Sequence, residues 1–536
     1  MAVVLGVNGV DGHGHDAGAA LAVNGRLVAA VEEERLVRVK RAFGLPPLRA
    51  IREVLALAGY TMSDVDTIAY PWEPATMGVP DDDITARLDY WCRTVDPDAG
   101  RTPDPRFIPH HEAHAWAGLA FTPFDLRSQT GVIVLDGSGE STSGACYRLC
   151  GGRLEQLWSL PQHSSVGIFY EAVTQYLGFR WGDEGKTMGL AAYGRDRALA
   201  KTHPGMSDDR APVAPPFTSA TSPRRRHEEL RAQIVAELVA LHGERLSFNQ
   251  RADVAFAAQH WLEERVLQYV AELVNGLRAL VLSGGVALNC TANSKVAAYC
   301  RRHDVQLVIP PTASDTGVAL GAAVAASPDP AAFTLCDEVA LGRAFPPELI
   351  IKQLRTVGLP VVQCEPADIV RALTSGTICG WLEGGSEIGP RSLGHRSIVA
   401  RPDSTPVRDR LNVLKGRESW RPLAPSLTPD EFTRNFPNSS PSPYMLIAAT
   451  YDPLVPGGLE GVVHVDGTAR PQVVHTDGVY RNLIMAMGAE IGTEALVCTS
   501  FNRAGEPLVY TSADAVLSAK HMGLDLLAGD GWMAPL

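Results

Sequence analysis

The chain has 536 residues, 45% of them hydrophobic and 20% charged, enough apolar material for roughly two to four domains and too much for a disordered chain. Its formal net charge of -12 argues against a nucleic-acid-binding surface, which needs a positive field. Nine cysteines without CxxC or framework spacing fit a reducing, cytoplasmic setting, the opening MAVVLGVNGVDG lacks the regions of a signal peptide, and no apolar run is long enough to predict a membrane span.

VVLGVNG (3–9) reads as a buried strand, and AALAVNGRLVAAVEEER (19–35) as a β-hairpin turning at Asn24-Gly25. Glu32, Glu33 and Glu34 read as a solvated face. Helical spacing runs through PPLRAIREVLALAGY (46–60) and HHEAHAWAGLAF (110–121). GVIVLDGSG (131–139) is again a buried strand, followed by a hairpin across Gly151-Gly152 in GACYRLCGGRLEQLWSL (144–160). GAALAVNGRLV and GACYRLCGGRLE begin alike and share a Gly-Arg-Leu ending, the mark of a duplicated supersecondary unit. Residues 196–226, rich in Pro, Ser and Arg, read as a mobile insertion. A long amphipathic helix over 247–276 is capped by Ser247 and sets Val254, Trp261, Leu262, Val266 and Val270 close to one face. RALVLSGGVALN (278–289) is strand, glycine turn, helix, and VQLVIPP (305–311) is a strand. The Pro-rich 326–347 predicts a linker between a first domain, 1–330, and a second, 348–536, where arginines stand among short strands such as TICGWLE and ALVCTSF.

Two motifs are decoys. GHGHDA (12–17) has dinucleotide-site glycines, but a strand rather than a helix follows, so no helix N-terminus is there to hold a pyrophosphate. Gly185-Lys186-Thr187 resembles the end of a P-loop, yet Arg180 stands where its first glycine belongs. His110 and His114 carry more weight, because i,i+4 spacing puts two imidazoles on one helix face, as a shared metal requires. Asp136 and Asp315 stand at strand and turn ends as carboxylate partners, and mixed His/Asp ligation suits iron, zinc or manganese better than calcium. The turns DGSGE (136–140) and LSGGVALN (282–289) each follow a strand, where backbone N–H groups can cradle phosphate between two lobes. His15, beside Asp16 in a glycine-rich turn, is a candidate general base. In the second domain EIGPRSLGHRSIVARP, LNVLKGRESWRPLAP, Arg470 and CTSFNRAG combine Arg, Lys, Ser and Asn as an anion pocket does.

Taken together, GHDAGAAL with EEERLVRVK, FIPHHEAHA, VLDGSGE, EGKTMGLAAYG, LSGGVALN, GPRSLGHRSI and SWRPLAP resemble the NodU/CmcH/TobZ-type O-carbamoyltransferases along nearly the whole chain. The resemblance implies an α/β protein: an N-terminal duplicated actin/Hsp70-like (Kae1-like) ATPase domain and a C-terminal YrdC-like α/β domain. It implies carbamoyl phosphate and ATP combining into carbamoyl adenylate in the second domain, where Arg391, Lys415, Arg421, Arg470, Ser500 and Asn502 match the binding positions. His110, His114, Asp136 and Asp315 match the metal positions, with iron first among divalent ions, and His111 remains an alternative to His110. His15, with Lys40 nearby, matches the catalytic position that deprotonates a small-molecule hydroxyl acceptor, an antibiotic-type compound foremost. Gly137, Gly139, Lys186, Gly284, Gly285 and Asn289 match nucleotide-binding positions, Mg accompanying the nucleotide, and a homodimer is compatible with the pattern. Cys498 stands where the family has Asn in its NTSFN string. Other readings are a tRNA threonylcarbamoyl-type transferase, which the net charge disfavours, and an actin-like ATP-binding scaffold, which leaves the arginines without a role.

Overall fold

The computed structural model describes residues 2–9, 14–74, 81–127, 129–195 and 222–536. The chain forms two compact units, one of Met1–Glu33 with Ala42–Asp337, the other of Glu34–Arg41 with Glu338–Leu536. No helix among the described residues is long and apolar enough to cross a membrane.

Unit one is built on two five-stranded sheets of one topology. In the first, β1 (Val3–Asn8), β2 (Gly18–Val23) and β3 (Arg26–Glu32) form an antiparallel meander, and β4 (Thr67–Tyr70) and β5 (Asp104–Phe107) add in parallel on the far side of β1. In the second, β6 (Thr130–Leu135), β7 (Thr142–Cys150) and β8 (Arg153–Pro161) repeat the meander, and β9 (Ala279–Ser283) and β10 (Gln306–Val308) repeat the parallel pair. The strand orders 3-2-1-4-5 and 8-7-6-9-10 are the same order, so the duplication read from the hairpins is a duplication of the sheets, as the actin/Hsp70-like plan requires. Both hairpins turn as their sequences predict, with positive φ at Asn24, Gly25, Gly151 and Gly152. The central strands β1 and β6 are buried along their whole length, which accounts for their continuous apolar runs.

Helices fill the space around the sheets. They include α1 (Leu48–Ala58), α2 (His110–Ala120), α3 (Val166–Tyr176), α4 (Glu184–Ala191), α5 (Pro223–His242), α6 (Phe248–Leu273), α7 (Cys290–Arg302) and α8 (Val318–Ala325). Ser247 caps α6 by accepting from the Gln250 N–H, and Val254, Leu262, Val266 and Val270 are buried on its inner face while Trp261 is half-buried against Phe169. Helices α2 and α8 pack directly on each other, and the contact is backbone on backbone: a Cβ at Gly321 would lie 1.8 Å from the Ala113 carbonyl oxygen.

Two expectations need correction. Residues 223–226 are helix: Ser222 accepts from the Arg225 N–H and Pro223 opens the first turn, so this Ser-Pro pair is a helix start. The rest of the expected insertion, 196–221, lies outside the described residues. Glu32, Glu33 and Glu34 are buried. Glu33 accepts from the Arg49 and Ala50 N–H groups at the start of α1 (3.3 and 2.6 Å), and Glu34 from the Arg41 N–H (2.6 Å), so local donors hold these carboxylates inside.

Unit two is an α/β domain around an eight-stranded sheet. Its centre holds β11 (Cys379–Leu382), β12 (Arg396–Ala400), β13 (Ala424–Leu427) and β14 (Ala495–Ser500), with β12 antiparallel to both β11 and β14 and β13 antiparallel to β14. Phe436, Phe501 and Trp532 are wholly buried in its core. The short segment 34–41 belongs here: Arg35 donates to the Gly389 carbonyl (2.7 Å) and Arg38 to that of Pro507 (3.1 Å).

Candidate metal centre and anion pocket

In unit one, four side chains from three places in the chain converge. His110 and His114 project from the first turns of α2, Asp136 follows β6, and Asp315 opens the turn leading into α8. One donor atom from each lies within 4.8 Å of the others. The two Nε2 atoms are 3.2 Å apart. His110 Nε2 is 3.4 Å from Asp136 Oδ2 and 3.6 Å from Asp315 Oδ1, and the corresponding distances from His114 Nε2 are 3.6 and 3.3 Å. Neighbouring donors about 2.1 Å from one ion stand roughly 3.0–3.4 Å apart, so the set fits a divalent cation. Nitrogen and carboxylate donors in equal number suit iron, zinc or manganese.

The surroundings hold these ligands in place. Glu140 accepts the His110 N–H at 2.9 Å, fixing the helix start, and burial raises its own pKa. His110 Nδ1 faces the Pro71 carbonyl at 3.3 Å, which turns Nε2 toward the carboxylates, and Trp72 stacks on the ring at 3.9 Å between centroids. Asp136 Oδ1 accepts the Gly285 N–H at 3.0 Å. Burial opposes charge on His110, yet Asp315 and Asp136 outweigh it and raise its pKa to about 10. Burial also opposes charge on the two aspartates, and the histidines pull both well below the usual carboxylate range. His111 lies apart, with Nδ1 3.0 Å from Thr142 Oγ1 and its pKa lowered to about 3 by burial and by His110, so the converging histidine is His110.

His15 adjoins this cluster. Its Nδ1 is 3.0 Å from Asp16 Oδ2 and 3.8 Å from Asp315 Oδ2. Asn8 donates to the Asp16 carbonyl at 3.0 Å and holds the turn. The indole of Trp181, 39% exposed, meets the His15 ring edge-on at 4.8 Å between centroids. Lys40 is grouped with unit two, where its ammonium lies 3.4 Å from Glu34 and its charge is felt at Lys415.

Of the expected nucleotide positions, Gly284 and Gly285 form the turn that receives Asp136; Gly284 has φ +86° and a Cβ there would lie 2.2 Å from the Leu135 carbonyl oxygen. Gly137 and Gly139 lie in the turn after Asp136, Gly139 against the His111 ring. Lys186, inside α4, is 3.1 Å from Asp183. Asn289 caps α7 and exchanges side-chain hydrogen bonds with Gln259 at 2.9 and 3.0 Å.

Unit two gathers the predicted basic residues. Lys415, following the helix Thr405–Leu414, is buried, donating to the carbonyls of Ser500 and Asn502 (2.9 Å for the latter) and lying 3.2 Å from Asn502 Oδ1. Burial, then Arg417 and Arg421, lower its pKa well below the usual lysine value. Arg417 is lowered likewise by burial and by the charges of Arg421, Arg470 and Arg391. Arg417 Nε and Arg470 Nη1 are buried without hydrogen-bond partners among the described residues. Crowded cations with unspent N–H groups form a site for an anion. Cys498 lies beneath it, 3.5 Å from Ser397 Oγ and packed with Leu393 and Met445, so an apolar packing contact fills the position of the family's Asn.

The sequence reading did not find Trp72, Glu140, Trp181 or Arg417. Arg417 had a local signal in the KGRESWRP string and Glu140 in the DGSGE turn, while Trp72 and Trp181 had none.

The fold and these sites define a two-unit α/β protein with a buried His/Asp cluster that could hold a cation in one unit and a cluster of buried basic side chains in the other. Residues 6–77 and 93–324 match the Carbamoyltransferase N-terminus family and residues 370–534 the Carbamoyltransferase C-terminus. The chain is 31% identical over 547 residues to Nodulation protein NolNO of Sinorhizobium fredii, covering 95% of this chain and 77% of that one. It is 26% identical over 550 residues to 3'-hydroxymethylcephem-O-carbamoyltransferase of Streptomyces clavuligerus, covering 97% of each. Nodulation protein NolO of Bradyrhizobium diazoefficiens is 32% identical over 440 residues, which are 78% of this chain and 76% of that one. The chain belongs to the carbamoyltransferase family, and it is an O-carbamoyltransferase.

Proposed function

We propose that this enzyme uses ATP to convert carbamoyl phosphate into carbamoyl adenylate, and transfers the carbamoyl group to a hydroxyl of a small natural product. The observation that carries the reading is the convergence of His110, His114, Asp136 and Asp315 with His15 beside them. His15 takes the proton of the acceptor hydroxyl, Asp16 orienting its ring through Nδ1. The hydroxyl oxygen attacks the carbamoyl carbon and AMP leaves. A divalent metal, iron foremost, held by the four ligands supplies positive charge against the charge developing on the reacting oxygens. The turns of Gly137, Gly139, Gly284 and Gly285, with Lys186 and Asn289, border the nucleotide, which carries Mg.

In unit two, Arg391, Arg421, Arg470 and Lys415 receive the phosphate of carbamoyl phosphate, with Ser500 and Asn502 completing the hydrogen bonds, while Lys40 adds to the positive field. Such a pocket binds an unstable anion and shields it from water. Among the relatives, one is named for a hydroxymethyl cephem acceptor, and this supports an antibiotic-type hydroxyl compound here. Trp181 offers an exposed aromatic face at His15 for the ring of such an acceptor.

The test is nucleotide analysis of the purified enzyme with ATP, with and without carbamoyl phosphate. AMP that appears only when carbamoyl phosphate is present is the expected result. ADP as the product, or AMP formed equally without carbamoyl phosphate, contradicts the adenylate route.

A further inference from the structure

Two residues beyond Asp136 the turn carries Ser138, whose hydroxyl lies 3.1 Å from Nδ1 of His227 on α5. The other ring nitrogen of His227, Nε2, is 2.8 Å from Glu171 Oε2 on α3. The Glu171 side chain is 8% exposed, and its other oxygen accepts from Arg231 Nη1 at 2.6 Å. The reaction proposed above uses none of these residues.

The hydrogen bonds of this chain have a direction. The Arg231 guanidinium meets the charge of Glu171, so His227 serves that carboxylate as an Nε2–H donor, and its Nδ1 lone pair then accepts the Ser138 hydroxyl. Hydroxyl, imidazole and carboxylate in this order form the arrangement in which a serine becomes a nucleophile. Ser165, which touches the same turn, shows the contrast: its Oγ accepts from the Ile168 N–H (3.0 Å) and donates to the Gly137 carbonyl (2.7 Å), so it is committed to backbone. Ser138 is only half-buried, open to small electrophiles.

We infer that Ser138 is a nucleophile that accepts acyl groups from small activated carboxylic esters, with His227 as its base and Glu171 as the positioning residue. Oγ bonds to the carbonyl carbon, its proton passes to His227 Nδ1, and the bond to the leaving oxygen breaks. The leaving group departs with the electron pair and takes the proton from His227. Water then attacks the acyl-serine, releasing the acid and restoring the hydroxyl. This esterase-like activity is separate from O-carbamoyl transfer and stands or falls apart from it.

The test treats the full chain with a fluorophosphonate and maps the adduct by peptide mass spectrometry. An adduct on Ser138 is expected. His227→Ala is expected to slow labelling about 100-fold, with partial recovery in added imidazole, which a purely structural role for the ring does not give. Glu171→Gln is expected to slow labelling where Glu171→Asp restores it. No adduct on Ser138 in the folded wild-type protein overturns the inference, as does undiminished labelling in the folded His227→Ala protein. Should His227→Ala fail to fold, His227→Gln is measured in its place under the same criterion.

Discussion

At the scale of single residues, the pocket of unit two is held against its own charge. Arg417 has a buried Nε without a partner among the described residues and a pKa pulled well down by burial and by Arg421, Arg470 and Arg391. An anion relieves that repulsion, and a ligand that binds only the folded state stabilises it by about 2.7 kcal/mol at a hundredfold excess over its Kd. Inorganic phosphate is therefore expected to raise the melting temperature of the wild-type protein, and Arg417→Ala to remove most of the rise. Differential scanning fluorimetry across a phosphate titration checks this; an equal rise in a folded Arg417→Ala protein contradicts it. Residues of this kind were legible only in part. The arginine-rich strings and the HxxxH spacing are local, so Arg391, Lys415, Arg421, His110 and His114 stand out in the sequence. Glu140 on the His110 N–H, Trp72 over its ring, and the meeting of Ser138, Glu171 and His227 join segments between 30 and 89 positions apart, and no spacing rule reaches that far.

At the scale of elements, the close approach of α2 and α8 carries the candidate metal ligands. Asp315 stands just before α8, and His110 and His114 ride on α2. The two helices meet where Gly321 lies under the Ala113 carbonyl, which leaves no room for a methyl group. Gly321→Ala is expected to cost about 3 kcal/mol through overpacking and to weaken metal uptake by forcing the helices apart. Chemical denaturation together with metal titration checks both effects, and a variant with wild-type stability and wild-type metal binding contradicts the account. The strands, hairpins and helix starts were readable because Asn-Gly and Gly-Gly turns, Ser caps and apolar runs act within a few residues. The helix start at Ser222-Pro223 was misread because a Pro, Ser and Arg composition serves a cap as well as a coil. The inclusion of 34–41 in unit two was not readable, since it depends on Arg35 and Arg38 reaching carbonyls more than 350 positions away.

At the scale of the whole molecule, the proposed chemistry divides between the units: activation in the basic pocket of one, transfer at the histidine and aspartate cluster of the other. Such a division makes the two half-reactions separable by single substitutions. The most direct measurement compares carbamoyl-phosphate-dependent pyrophosphate release from ATP, the signature of adenylate formation, in full-length His15→Ala and Arg421→Ala proteins whose folding matches the wild type. The account predicts that His15→Ala keeps this activity within about threefold of wild type, and that Arg421→Ala reduces it by about 100-fold, as expected when a group stabilising only the activated phosphate is lost. Loss of pyrophosphate release in His15→Ala, or its persistence in Arg421→Ala, would contradict the assignment of activation and transfer to separate sites.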